Sequence, residues 1–281
     1  MNGWRGSRPA VGQAAWDERI ERADVLAVAY PFAAEVLHFY TELAKWQKGV
    51  YQGVEQAVQA TGSRVVAGRL REILHLELVV PAFPALLELC RRRAPAGLAQ
   101  MAAAMEAAGE SRWVELLSAY WSAERAEEMA REIPESFFAQ AILQPYAEAL
   151  ANTVPAFKLD GTPLRCPLCG ALPLVSVLRP EGDGARRSLL CSLCLHEWDY
   201  RRLVCAYCGE ESDPRLPVFV SEALPHLRVE ACESCKHYVT GVNLAQDGRA
   251  VPLVDELTAI PLHLWAEQQG YRRAVPNLLR V

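Results

Sequence analysis

The sequence has no uninterrupted apolar run of about 18 residues, the length a bilayer-spanning helix requires. Met1 to Trp16 is polar and arginine-bearing, without the apolar stretch and small-residue cleavage site of a secretory leader. Positive charge is not in surplus either: 29 Lys and Arg stand against 34 Asp and Glu, a net charge of −5. Residues 159–240 carry nine basic against eleven acidic side chains, so no basic field draws nucleic acid or an acidic membrane surface. HExxH, a phosphate-cradling glycine loop and a Ser/His/Asp set are absent as motifs. These absences argue against membrane insertion, nucleic-acid binding and hydrolytic catalysis. They predict a soluble cytoplasmic protein that is not an enzyme.

Cysteine, by contrast, is concentrated. Eight of nine fall in four C-x-x-C pairs, Cys166/Cys169, Cys191/Cys194, Cys205/Cys208 and Cys232/Cys235, with 21, 10 and 23 residues between pairs. A two-residue spacer lets one tight turn aim two thiolates at a point, half of a tetrahedral zinc or iron site. The stretch also repeats. The first and third pairs are followed by Gly170 and Gly209, where the turn favours glycine. The second and fourth are followed two residues on by His196 and His237, with Trp198 and Tyr238 close by. This A-B-A-B order favours pairing first with second and third with fourth. A crossed arrangement, first with fourth and second with third, is the runner-up.

Such centres are closed, with no coordination position left for water or substrate, and are structural or, with iron, electron-carrying. Arg165, Arg186, Arg187, Arg201, Arg202, Arg228 and Lys236 lie near the pairs and either offset the thiolate charge or form ordinary surface. His196 and His237 are secondary candidates as ligands. The ninth cysteine, Cys90, sits in an apolar helical pattern and reads as a buried side chain. His38, His75 and the aromatic positions read as core or surface rather than as a cofactor site.

The chain divides by composition. Residues 1–158 are rich in Ala, Leu, Glu, Gln and Arg and predict a bundle of six or seven helices. The clearest helix starts at Pro31 and stops at Gly62-Ser63. A second pattern, Leu70, Ile73, Leu74 and Leu78, ends near Pro81. Residues 159–201 and 202–245 then predict two tandem rubredoxin-like ribbons, with strands at 172–178, 186–190, 217–220 and 227–230. Residues 246–281 predict a helix over 255–269, shortened or kinked by Pro261, and a tail. The fold class expected is α+β: an all-α bundle, two zinc-ribbon units and a C-terminal helix.

These motifs resemble the FdhE family. The likeness is carried by C-P-x-C-G (Cys166 to Gly170), C-x-L-C-x-x-E-W (Cys191 to Trp198), the Cys205 to Gly209 turn and E-x-C-x-x-C-x-x-Y (Glu230 to Tyr238). Asp255-Glu256-Leu257 and Glu267 to Tyr271 are similar to that family's closing segment. The resemblance implies a non-catalytic cytoplasmic accessory protein that binds the molybdenum- or tungsten-containing catalytic subunit of formate dehydrogenase during its maturation. It also implies two four-cysteine metal ions, iron or zinc, held by the eight paired cysteines. The alternative from a different class is a rubredoxin-like electron carrier or thiol-disulfide redox protein.

Overall fold

The computed structural model describes residues 12–61, 65–155, 157, 161–182 and 184–281. The leader reading over 1–11, the helix stop at Gly62-Ser63 and part of the boundary at 158–160 lie outside the described residues. Among the described residues, eight α-helical segments form the N-terminal half: α1 (Gln13–Ala29), α2 (Ala34–Thr61), α3 (Leu76–Val79), α4 (Phe83–Arg93), α5 (Ala96–Ala108), α6 (Glu110–Ser122), α7 (Ala126–Glu132) and α8 (Ser136–Ala151). Pro31 opens a single 3-10 turn, Pro31–Ala33, that leads into α2, as a first-turn proline with no N–H to satisfy can. The Leu70 to Leu78 pattern is not one helix. It is a 3-10 turn at Leu70–Glu72 followed by α3.

The bundle is organised around α8, whose residues Ser136 to Leu150 are all buried. A helix buried on every side belongs in a centre, not on a surface. Its polar residues Gln140, Gln144 and Glu148 recur every four positions and so form one stripe. Glu148 accepts both Arg19 guanidinium nitrogens, at 2.9 and 2.6 Å, which locks α1 onto α8. Gln144 reaches out of the bundle to the carbonyl of Ser192, between the second pair of cysteines.

The C-terminal half holds one sheet: β1 (Pro173–Glu181), β2 (Gly184–Cys191), β3 (Glu197–Asp199), β4 (Val218–Val220), β5 (Leu227–Ala231), β6 (His237–Asn243) and β7 (Arg272–Arg273). Strand order is β3-β2-β1-β6-β5-β4, with β7 pairing β6. Each repeat supplies an antiparallel three-strand set, and the sets are joined through parallel pairing of β1 with β6, Val175 opposite Thr240 and Leu178 opposite Asn243. Two ribbons in sequence are therefore one sheet in space.

Arg187 of β2 fixes this join. Its Nε donates to Ser176 Oγ at 3.0 Å and one terminal nitrogen to Glu230 on β5 at 2.5 Å. The other donates to the carbonyls of Arg201 and Val204, in the link between the repeats, at 2.8 and 2.9 Å. Gly241 of β6 leaves room for this cluster: a Cβ there would come within 2.8 Å of Arg228 and Glu230 side-chain atoms.

After the sheet the chain forms α9 (Pro252–Asp255), a 3-10 turn at Glu256–Thr258 and α10 (Ile260–Gln268). The single helix expected over 255–269 is thus divided. Pro261 falls in the first turn of α10, where its missing N–H is harmless, so the break precedes it. Asp255 and Glu256 are both fully buried. Asp255 accepts Arg22 of α1 at 2.9 and 2.5 Å and lies 2.9 Å from His226 Nε2. Glu256 accepts Asn277 Nδ2 at 2.9 Å and pairs with Arg273. The closing segment is pinned to both halves of the molecule by adjacent carboxylates.

Candidate metal centres

Each C-x-x-C pair sits in the same local turn. The N–H of the first cysteine donates to the carbonyl five residues on: Cys166 to Ala171 (2.8 Å), Cys191 to His196 (2.9 Å), Cys205 to Glu210 (2.8 Å) and Cys232 to His237 (3.0 Å). Closing that turn places the residue after the second cysteine in the left-handed region in all four copies. Gly170 (φ 74°) and Gly209 (φ 79°) occupy it in the first and third, Leu195 (φ 55°) and Lys236 (φ 57°) in the second and fourth. The glycines that suggested the repeat therefore mark a conformation, which two side-chain-bearing residues also adopt.

The turns converge in sequence order. The sulfurs of Cys166, Cys169, Cys191 and Cys194 lie within 4.8 Å of one another, as do those of Cys205, Cys208, Cys232 and Cys235. The crossed alternative is not adopted. Sγ–Sγ separations are 3.5 Å (Cys166–Cys194), 3.4 Å (Cys169–Cys191), 3.8 Å (Cys205–Cys235) and 3.7 Å (Cys208–Cys232). A tetrahedron with metal–sulfur bonds of about 2.3 Å has edges of about 3.8 Å, whereas a disulfide needs about 2.0 Å. All eight thiols are free. The donor set, four sulfurs at nearly tetrahedral spacing without a carboxylate or imidazole, fits zinc or iron.

Electrostatics agree with that fit. In the first cluster, hydrogen bonding from Cys166, Cys191 and Cys194 holds the Cys169 thiol well below its usual range, while burial foremost pushes Cys191 and Cys194 well above theirs. In the second, burial pushes Cys205 up to about 11. Cys232 is lowered although burial opposes it, because the amides of Cys235 and Ser234 point at its sulfur. Four adjacent sulfurs cannot all ionise unaided, and a cation is the partner that would let them. Amide N–H groups supply part of the balance: Leu193 and Cys194 donate to Cys191 Sγ at 3.4 Å and Tyr207 to Cys205 Sγ at 3.4 Å.

His196 and His237 join neither sulfur group. His237 Nδ1 lies 2.8 Å from the Cys235 carbonyl and its ring stacks on Tyr207 at 3.8 Å. His196 lies beside Phe157, with ring centroids 6.0 Å apart. Six of the seven basic residues near the pairs find carboxylates: Arg165 with Glu127, Arg186 with Asp199, Arg187 and Arg228 with Glu230, Arg201 with Glu211 and Lys236 with Glu233. They are tied up in ion pairs and leave the sulfurs to the amides. Cys90 is buried on α4, and burial pushes its thiol up to about 12.

The first cluster is anchored in the helical half. Leu70 N–H donates to Leu168 O at 3.3 Å and Gln144 holds Ser192, while Trp198 Nε1 donates to Pro163 O at 3.0 Å within the cysteine-bearing half itself. Tyr200 then links the clusters: its hydroxyl donates to Cys205 O at 3.1 Å while the Arg187 guanidinium lies over its ring. Sequence reasoning found all eight sulfurs and missed this scaffold. The one readable signal was the i, i+4 polar stripe on an otherwise apolar α8.

Known proteins are similar to this chain. The family model described as "FdhE, central domain" matches residues 165–202, and "FdhE, C-terminal domain" matches residues 203–280. The protein FdhE homolog of Aquifex aeolicus (strain VF5) is 25% identical over 286 residues, covering 98% of this chain and 99% of that one. The protein FdhE homolog of Stutzerimonas stutzeri (strain A1501) is 40% identical over 141 residues, 46% of this chain and 45% of that one. The crystal structure of the FdhE protein from Pseudomonas aeruginosa superposes with a TM-score of 0.72 at 24% identity, covering 95% of this chain and 96% of that one. The two cysteine clusters, the sheet that joins them and the near full-length likeness lead to one conclusion: residues 165–280 of this chain match the FdhE family models, and the chain as a whole shares the fold of an FdhE protein.

Proposed function

We propose that the chain is a non-catalytic accessory protein for formate dehydrogenase, which holds the molybdenum- or tungsten-containing catalytic subunit while that subunit matures. The observation that carries this reading is the pair of all-sulfur clusters built on one sheet and braced against a helical body. Four thiolates complete a tetrahedral ion and leave no position for substrate, so zinc or iron bound there would supply rigidity or, as iron, an electron site. Cys166, Cys169, Cys191 and Cys194 would hold one ion, and Cys205, Cys208, Cys232 and Cys235 the other. Gln144 holds the second turn of the first cluster, while Arg187 and Tyr200 hold the link that leads from it into the second. Among the described residues no helix is long and apolar enough to cross a membrane, which suits a partner that meets its client in solution.

The test is a tagged pull-down from cells making formate dehydrogenase, combined with deletion of the gene. The expected result is retention of the catalytic subunit and loss of formate-oxidising activity in the deletion strain. Normal activity after deletion, or a pull-down without any molybdoenzyme subunit, overturns the proposal. A reversible visible absorption change with turnover of an electron or thiol donor would instead favour the rubredoxin-like carrier.

A further inference from the structure

The two sulfur clusters differ in their surroundings. All four cysteines of the first are buried and belong to the main apolar core. Its turns enclose Pro167-Leu168 and Ser192-Leu193, with Leu168 and Leu193 buried. A cleft of about 830 Å³ between α1, residues 194–197 and residues 244–253 borders it, yet Cys194 keeps only 1% of its surface exposed. In the second cluster Cys208 is exposed and Cys235 partly so, and none of its four cysteines belongs to an apolar cluster. Its turns enclose Ala206-Tyr207 and Glu233-Ser234, and the latter two are exposed. The stacked rings of Tyr207 and His237 flank this cluster.

We propose that Cys208 is a thiol-exchange site through which the second centre, and not the first, surrenders its metal to small disulfides. This rests on reading the clusters as metal centres. The Cys208 sulfur attacks one sulfur of the disulfide, whose S–S bond breaks, and the departing half leaves as a thiolate. Cys232, its sulfur 3.7 Å away, then attacks Cys208 and expels the second half as a thiolate. Two cysteine thiolates are oxidised by two electrons, and the reagent is reduced to two thiols. The ion keeps only Cys205 and Cys235 and leaves as those two take up protons from water. The first centre cannot begin this sequence, because exchange requires access to a ligand sulfur and all four of its ligands are covered.

The test uses the full chain, purified without oxygen. Elemental analysis first counts the ions. The aromatic disulfide dithionitrobenzoate is then added with a chromogenic chelator, and the modified cysteines are mapped by peptide mass spectrometry. The expected result is that one ion leaves about tenfold or more faster than the other, with Cys208 modified or linked to Cys232 and the first-centre cysteines untouched until denaturant is added. Release of both ions together, or earlier modification of Cys166, Cys169, Cys191 or Cys194, overturns the proposal. A chain without metal refutes the metal reading separately, and the order of cysteine labelling still decides whether Cys208 is the accessible thiol.

Discussion

At the scale of single residues, the four turns separate what a side chain contributes from what the backbone demands. Gly170 has nothing within 4 Å of where a Cβ would sit, yet its φ is 74°. Gly170→Ala therefore meets no steric wall and only the left-handed backbone cost, about 1–2 kcal/mol. Lys236→Gly in the equivalent turn relieves that cost and leaves the chain as stable or slightly more so. Paired denaturation curves of the two variants check both signs. A second residue-level expectation concerns Cys90: with its thiol pushed up to about 12 by burial, it stays protonated and unreactive in the folded chain. Thiol counting before and after denaturation should show it appear only when the chain unfolds.

At the scale of elements, the join between β1 and β6 depends on a buried ion pair more than on strand propensity. Arg187 and Arg228 hold the Glu230 carboxyl below its ordinary range although burial opposes this. Arg187→Met leaves Glu230 buried with a poorer partner and two linker carbonyls without donors, so a loss of about 3–5 kcal/mol is expected at neutral pH. The sign of the pH effect follows. A carboxyl depressed in the folded state stabilises above its unfolded pKa and loses that contribution as pH falls through its folded pKa. The cost of Arg187→Met should therefore shrink toward acid pH, and equilibrium unfolding measured across that range checks it. A cost independent of pH would mean that Arg187 acts through the linker carbonyls and its packing on Tyr200 and not through Glu230.

At the scale of the whole molecule, the metal is expected to be a folding partner. Structural four-cysteine ions contribute on the order of 10 kcal/mol, and their thiolates must be deprotonated to bind. Removing the ions with a chelator, or protonating the ligands by lowering pH, should melt the sheet. Circular dichroism during chelation should show strand signal lost first and a smaller loss of helix signal with it, because the main apolar core is shared between the bundle and the first cluster. Cys191→Ser should lower the metal content by one ion and, since the first cluster lies within that core, also loosen the bundle. Cys232→Ser should spare the bundle.

The sequence by itself determined the eight sulfurs, their grouping by repeat, the helical half and most strands. These are local quantities: spacing, turn chemistry and hydrophobic period act over a few residues. It did not determine the single sheet, the division of the closing helix or the unequal exposure of the two clusters. Parallel pairing of β1 with β6 joins residues about 65 positions apart, and no local pattern encodes such a partner. Exposure likewise depends on what packs nearby: α8 and its Gln144 reach the first cluster, while the second sits where Glu233 and Ser234 face solvent. Only the folded chain decides which sulfurs are sealed and which can react, because burial belongs to the assembled neighbours and not to the motif.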